Sequence, residues 1–110
     1  MIYKSTILSE VKEFNVEIVK AKYVNNDTLY LGLFNTDTGE LFGDITVNVP
    51  FSGASDNIAC VDTNNNSNII EFIKRYKLGK DTGIVAYNGF CKYPLYEFNM
   101  DIIDKYTIEI

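Results

Sequence analysis

The most regular pattern of apolar and polar positions lies within residues 28–49, where two stretches alternate with a period of two, as half-buried β-strands do. Between them, residues 37–39 (Asp-Thr-Gly) fit a three-residue loop whose glycine tolerates a positive φ. The pattern therefore predicts a β-hairpin with a well-specified register. The predicted cross-strand pairs are Thr36 with Glu40, Leu33 with Gly43, Leu31 with Ile45 and Leu29 with Val47.

Other segments carry weaker strand patterns that turn signals separate. A change of parity in residues 14–24 predicts a β-bulge near residues 18–20; a helix is the alternative, because several apolar residues there also have helical spacing. Asn88-Gly89 is a strong signal for a two-residue hairpin turn. Pro94 lacks an N–H group and predicts an edge or a bulge for the last strand. The additional strands are predicted at residues 2–8, 14–24, 58–61, 84–87 and 90–98.

One amphipathic helix is predicted at about residues 67–78. Asn68 fits its N-cap, Glu71 follows three residues later as in a capping box, and Gly79 lies just past its end. A short C-terminal helix is expected after Asn99, which can cap it. The apolar stripe of the first helix consists of Ile69, Ile70, Ile73 and Tyr76, with Phe72 at its margin.

These elements predict a single α+β domain over residues 1–110. Its mainly antiparallel, twisted sheet has about five to seven strands, and the amphipathic helix packs on that sheet. A chain of 110 residues with 46% hydrophobic residues can bury one substantial core, and its composition lies well away from that of disordered chains.

The charge of the chain narrows the classes of partner. A net charge of −5 with a single arginine argues against direct binding of nucleic acid, which needs clustered basic side chains. We interpret the acidic residues mainly as groups that keep the surface solvated, and secondarily as a surface for a basic partner. No stretch approaches the ~20 apolar residues of a membrane span, and the N-terminus lacks the features of a signal peptide. We therefore expect a cytoplasmic monomer or small homo-oligomer.

The sequence contains no histidine, which removes the commonest general base and the commonest zinc ligand. No phosphate-binding, dinucleotide-binding, zinc or kinase motif is present. Cys60 and Cys91 lack metal-binding or redox spacing and fit buried, reduced thiols; a disulfide between them requires neighbouring strands. We therefore predict no catalytic residue, no cofactor and no metal.

Two segments are candidates for an interaction surface. The loop of Asp62, Thr63, Asn64 and Asn65 follows a short apolar strand. Its side chains suit either hydrogen bonding within the turn and at the next helix start, or the binding of a peptide or small polar ligand, an anion or a hard cation. The second candidate is the aromatic set Phe90, Tyr93, Tyr96 and Phe98. This set points to both faces of its strand, so it fits core packing as well as an exposed patch that contacts a protein.

Three segments carry a resemblance to a known family: residues 44–50 (Asp-Ile-Thr-Val-Asn-Val-Pro), 61–65 (Val-Asp-Thr-Asn-Asn) and 89–98 (Gly-Phe-Cys-Lys-Tyr-Pro-Leu-Tyr-Glu-Phe). With them, the chain resembles small uncharacterised proteins carried on conjugative transposons and related mobile elements of Gram-positive bacteria. The likeness runs from about Phe14 to Phe98. It implies a cytoplasmic location and association with a mobile element, and it supplies no activity and no residue roles.

The leading hypothesis is a non-enzymatic module that binds another protein. An acidic inhibitor that occupies the nucleic-acid groove of a host restriction or interference enzyme is the alternative, and it needs acidic side chains clustered on one face. A small hydrolase-like enzyme around Asp62 is the third hypothesis, and it needs a deep pocket. The predicted interaction surface consists of Asp62, Thr63, Asn64, Asn65, Tyr93, Tyr96 and Phe98.

Overall fold

The computed structural model describes residues 1–24, 27–51 and 55–108. Within these residues the strands form two four-stranded antiparallel sheets, ordered β1-β2-β3-β4 and β5-β6-β8-β7. The predicted α+β class is confirmed, with the strands divided between two sheets. The elements are β1 Ile2–Ile7, β2 Glu10–Lys22, β3 Leu29–Asn35, β4 Glu40–Asp44, β5 Thr46–Val47, β6 Ile58–Val61, α1 Ile69–Tyr76, β7 Gly79–Asn88, β8 Cys91–Phe98 and α2 Met100–Tyr106.

The predicted central hairpin forms between β3 and β4, and Leu33 lies opposite Gly43 as expected. A register shift after Leu33 then places Asn35 opposite Glu40, so the predicted pairing of Thr36 with Glu40 is wrong. The cause is local: the side-chain oxygen of Asn35 accepts hydrogen bonds from the N–H groups of the second and third residues after it, at 2.9 and 3.3 Å. These bonds close the turn one residue earlier.

Ile45 marks the point where the chain passes from the first sheet to the second. Its N–H donates to the carbonyl of Leu31 at 2.9 Å, and its carbonyl accepts from the N–H of Asp62 at 2.9 Å. The expected neighbourhood of Leu31 and Ile45 is therefore confirmed. Val47 pairs with β6, so the predicted pair of Leu29 with Val47 is wrong. The N–H and the C=O of Ile45, which lies between β4 and β5, thus bond to residues on opposite sides.

Thr46 ties the two sheets together through its side chain. It is 1% exposed, and its hydroxyl oxygen accepts a hydrogen bond from the N–H of Leu31 at 3.1 Å. The same oxygen lies 3.0 Å from the hydroxyl of Tyr23, which follows β2. A side-chain oxygen thus supplies the acceptor for Leu31 where the chain leaves the first sheet.

β2 is one continuous strand that pairs with both of its neighbours. Its register with β3 is unbroken from Val16 opposite Asn35 to Lys22 opposite Leu29. The predicted bulge and the alternative helix are therefore both wrong. The bulge was predicted because Ala21 was counted among the buried residues. In the structure Ala21 is exposed, so the alternation of buried residues does not change along this strand.

α1 packs its apolar stripe into the core with Phe72 as a buried member, and not at the margin. The predicted capping box is wrong: the side chain of Asn68 makes no cap hydrogen bond and donates to the carbonyl of Lys4 at 2.9 Å. The helix ends in Lys77, which has a left-handed φ of 56°, two residues before Gly79. The tertiary contact to β1 competes with the local cap and replaces it.

α2 confirms the predicted short C-terminal helix. The side-chain oxygen of Asn99 accepts from the N–H of Ile102 at 3.4 Å, as expected for an N-cap.

Pro94 lies in a central strand, since β8 is flanked by β6 and β7. Of the two settings predicted for Pro94, the edge strand is therefore wrong, whereas an irregular register does lie directly beside it, in β7, in line with the predicted alternative of a bulge. Pairing of β6 with β8 begins at Cys60 opposite Leu95, and β7 has its irregular register next to Val85, which faces Pro94. The carbonyl of Val61, the next residue of β6, accepts from the N–H of Thr63 at 2.9 Å. Because the Val61 carbonyl already has this partner, the missing N–H of Pro94 leaves no acceptor of β6 unpaired at this position.

The core divides into two clusters because the second sheet is covered on both faces. The main cluster lies between the sheets and includes α1 and α2 residues. A smaller cluster lies on the other face, against partly buried Val47 and Phe51. The buried members of the smaller cluster are Val49, Cys60, Ala86, Tyr93 and Leu95.

Candidate interaction surface

Asp62 fixes the conformation of the loop that follows β6. It is 7% exposed, and its carboxylate accepts from the N–H of Asn65 at 3.3 Å and from the Asn65 side-chain amide at 3.2 Å. The N–H of Thr63 donates a hydrogen bond to the carbonyl of Val61. The polar groups of Asp62, Thr63 and Asn65 thus form hydrogen bonds within the turn, which is one of the two roles that the sequence predicts for this loop.

The loop and the start of β8 are neighbours, so the structure brings together part of the predicted surface. The side-chain amide of Asn64 donates to the sulfur of Cys91 at 3.4 Å. Tyr93 lies two residues along the same face of β8 and belongs to the smaller core cluster. Burial raises the pKa of Tyr93, and the nearby Cys91 thiol raises it further. The loop therefore contacts the turn end of the β7–β8 hairpin.

Tyr96 and Phe98 lie on the opposite face of β8, in the main core. They are 4% and 2% exposed, and their ring centroids lie 6.3 Å apart. Burial raises the pKa of Tyr96, with a smaller contribution from Asp81. Like Tyr93, these two side chains are part of the interior and present no aromatic surface to solvent.

The two thiols are free and lie at different places on the second sheet. Cys60 faces Leu95, four residues along β8 from Cys91. Burial raises the pKa of Cys60 to about 11, so its thiol stays protonated and unreactive near neutral pH.

The exposed apolar side chains of the second sheet lie instead on β7 and at the turn that follows it. Tyr87 is 71% exposed, Phe90 projects fully into solvent, and Ile84 and Val85 are also exposed. Gly89 has a φ of 63°, so the two-residue turn consists of Gly89 and Phe90, one position later than the Asn-Gly signal indicates. The sequence placed Phe90 in an aromatic set that fits either core packing or an exposed patch, and it did not single out the exposed residues of β7. We call Ile84, Val85, Tyr87 and Phe90 the hairpin patch.

The outer half of β7 is an open edge among the residues that the structure describes. The chain carries no charged residue between Asp81 and Lys92. The other edges differ: β1 contains Lys4, β4 contains acidic residues at both ends, and β5 has two residues. Proteins commonly protect sheet edges with charges or short strands, and β7 has neither protection here.

The backbone of β7 presents hydrogen-bonding groups to solvent. In a two-residue hairpin the residues that close the turn, Asn88 and Cys91, bond to each other, and alternate residues along the strand then bond inward. Ala86 bonds inward by this alternation. The N–H and C=O groups of Val85 and Tyr87 therefore point away from β8.

Two open clefts are the other candidate sites. One of about 690 Å³ is lined by charges of both signs, with Lys74, Lys77 and Lys80 facing Glu97 and Asp101. Lys74 and Lys77 lie at the end of α1, where cations also oppose the negative end of the helix.

The other cleft, of about 350 Å³, has Asp62 and Asp44 in its wall. Asp44 accepts a hydrogen bond from the hydroxyl of Tyr30 at 2.7 Å, and burial together with this bond raises the pKa of Tyr30. Within residues 1–24, 27–51 and 55–108, no three His, Cys, Asp or Glu side chains are grouped to hold a metal ion.

Comparison with known protein families adds one finding. Residues 16–109 match the family model described as Domain of unknown function (DUF4313). The chain belongs to this family. The DUF4313 match runs from Val16, within β2, through α2 and includes the whole of the hairpin patch. No curated protein and no solved structure matches the chain. In the described part of this DUF4313 protein, no helix is long and apolar enough to cross a membrane.

Proposed function

We propose that this DUF4313 domain is a non-enzymatic, cytoplasmic module of a mobile genetic element that binds another protein through the outer edge of β7. The observation that carries the proposal is the coincidence of an uncharged open edge with the hairpin patch. The link to conjugative transposons of Gram-positive bacteria is supported by the resemblance of the three sequence segments alone.

The partner that suits this edge is an extended segment of a protein. Such a segment adds a strand to the sheet, and its backbone bonds to the outward groups of Val85 and Tyr87. Its apolar side chains then cover the hairpin patch. Complete burial of a large apolar side chain contributes about 1.5–3 kcal/mol, so Tyr87 and Phe90 are the expected energetic centre.

The loop of Asp62 to Asn65 has a supporting role in this proposal. Its bond from Asn64 to Cys91 holds the first residue of β8, directly after the turn that carries Phe90. We therefore expect the loop to position the hairpin and not to contact the partner through the buried carboxylate of Asp62.

The charge distribution gives the acidic-inhibitor hypothesis little support. Acidic side chains form ion pairs with lysine or arginine on β1 and β2, on α1 and between β7 and β8, so charges of both signs are interspersed. A mimic of nucleic acid needs an uninterrupted acidic face.

The test compares three purified, tagged proteins in a quantitative capture experiment from host cells that carry the mobile element. They are the wild type, Tyr87→Lys and the control Leu41→Lys, whose site on β4 is exposed like that of Tyr87. The proposal predicts a protein that the wild type and Leu41→Lys retain and that Tyr87→Lys loses. The same set of retained proteins for all three would refute it.

A further inference from the structure

We infer that the outer edge of β7 also pairs with β7 of a second copy of this chain, in an antiparallel arrangement whose two-fold axis passes through Ala86. The inference rests on the proposed function, because both need the outer side of β7 to accept a strand. Self-pairing would then be the state of the free protein, and a foreign strand would compete with it.

The directions of the backbone groups fix which residues can exchange hydrogen bonds. Val85 and Tyr87 present both their N–H and their C=O groups outward, whereas Ala86 and Asn88 are used by β8. Two antiparallel copies bond only where outward residues of one copy face outward residues of the other. An axis at Ala86 places Val85 of each copy opposite Tyr87 of the other.

Two glycines limit the regular part of the edge and thereby select this register. Gly83 has a φ of 82° and Gly89 a φ of 63°, so the extended segment that can pair runs over residues 84–88. Its midpoint is Ala86. An axis at Val85 would place Tyr87 opposite Gly83, and an axis at Tyr87 would place Val85 opposite Gly89. In either case one outward residue of each copy would face a glycine outside the extended segment.

The side chains and charges agree with the same register. Ile84 falls opposite Asn88 of the other copy, Val85 opposite Tyr87, and Ala86 opposite itself, so no charged residue meets a charged residue. The nearest charges along the strand, at Asp81 and Lys80, lie beyond the register shift of β7. Although each chain carries a net charge of −5, the paired segment adds no local repulsion.

The expected dimer is weak. Two bonded residue pairs, each with two hydrogen bonds, give about four hydrogen bonds between the copies. One short strand and the hairpin patch cover less area than a standard interface of about 1,600 Å². We therefore expect a dimer that depends on protein concentration and exchanges readily.

Sedimentation equilibrium over a concentration series tests the association. The wild type should move from 12.5 kDa towards twice that mass as its concentration rises. Tyr87→Pro removes one outward N–H that the monomer does not use, and Tyr87→Lys places a charge at the centre of the edge. Each should weaken the dimer at least about tenfold while Leu41→Lys does not. Circular dichroism checks that each variant is folded. If Tyr87→Pro does not fold, Tyr87→Lys alone tests the association.

Disulfide trapping tests the register. In a Cys91→Ser background, a mixture of Val85→Cys and Tyr87→Cys proteins should cross-link under mild oxidation several times faster than either variant alone. The reason is that only the mixed pair lies directly opposite across the axis, at about 5 Å between Cβ atoms. Equal rates for all three samples would overturn the register.

A wild type of 12.5 kDa at every concentration would overturn the inference. The same result leaves the proposed function standing if that monomer still captures a protein in a way that Tyr87→Lys abolishes. If Tyr87→Lys changes neither association nor capture, both proposals fail.

Discussion

Replacement of Thr46 by valine tests how the two sheets are joined. Valine has nearly the shape of threonine but lacks the hydroxyl that accepts from the N–H of Leu31 and bonds to Tyr23. Because Thr46 is 1% exposed, water cannot replace the lost oxygen without disturbing the core. The variant therefore leaves a buried N–H without an acceptor where the chain changes sheets.

The magnitude follows from the two lost bonds. An unsatisfied buried donor costs about 1–3 kcal/mol, and Tyr23, which is only half-buried, loses about 0.5–1 kcal/mol because its hydroxyl can turn to water. The gain from a buried methyl in place of a hydroxyl offsets about 1 kcal/mol of this. We expect Thr46→Val to lower the free energy of unfolding by about 0.5–3 kcal/mol.

Urea unfolding followed by circular dichroism measures the effect, with Thr46→Ser and Tyr23→Phe as matched variants. Thr46→Ser keeps the hydroxyl and should retain the bond to Leu31, and Tyr23→Phe should cost only the smaller part. The expected order of destabilisation is Thr46→Val first and Tyr23→Phe last. A stability of Thr46→Val equal to that of the wild type would refute the bridging role of the hydroxyl.

Three further predictions concern single residues. Because the folded pKa of Cys60, about 11, exceeds the ordinary thiol value of 9, its contribution to stability is complete below pH 9 and is lost between pH 9 and 11; urea titrations should show a shallower alkaline decline for Cys60→Ala. Gly79→Ala should lower the melting temperature by about 5–10 °C, because its Cβ would lie 2.9 Å from a backbone oxygen of β8, whereas Gly43→Ala meets no atom within 4 Å and should change it little. Leu8 is exposed with a left-handed φ of 50°, so Leu8→Asn should stabilise the chain by about 0.5–1 kcal/mol in urea unfolding. Unchanged alkaline behaviour, equal losses for the two glycines, or a loss of stability for the asparagine variant would contradict the respective prediction.

Local signals in the sequence were sufficient where neighbouring residues decide the structure. The alternation around Leu33 and Gly43 gave the correct hairpin pair, and Asn99 caps α2 as predicted. In both cases the hydrogen bonds join residues close in the chain, so short-range rules hold.

The errors concern residues whose partners are distant in the chain. Asn68 bonds to Lys4 across the fold and not to its own helix, and Pro94 is tolerated inside a sheet because β6 stops beside it. The division at Ile45 depends on its hydrogen bond from Asp62. Composition and periodicity carry no information about these long-range choices.

In the candidate site, too, the features set by neighbouring residues could be predicted, and those set by distant contacts could not. The role of Asp62 within its own turn was among the interpretations drawn from the sequence. The exposure of Tyr87 and Phe90 and the burial of Tyr96 and Phe98 were not derivable, because all four belong to similar aromatic strand patterns. Tyr96 and Phe98 pack in the main core, whereas Tyr87 lies on the edge strand and Phe90 in the turn.

Amide hydrogen exchange by NMR tests the central claim most directly. It is measured in dilute protein and again when β7 is paired with a strand of a captured protein or of a second copy. We predict that the amides of Val85 and Tyr87 exchange rapidly in the dilute protein while that of Ala86 is protected, and that binding slows the first two selectively. Protection of Val85 and Tyr87 in the dilute monomer, or rapid exchange that persists in the bound state, would contradict an open, strand-accepting edge.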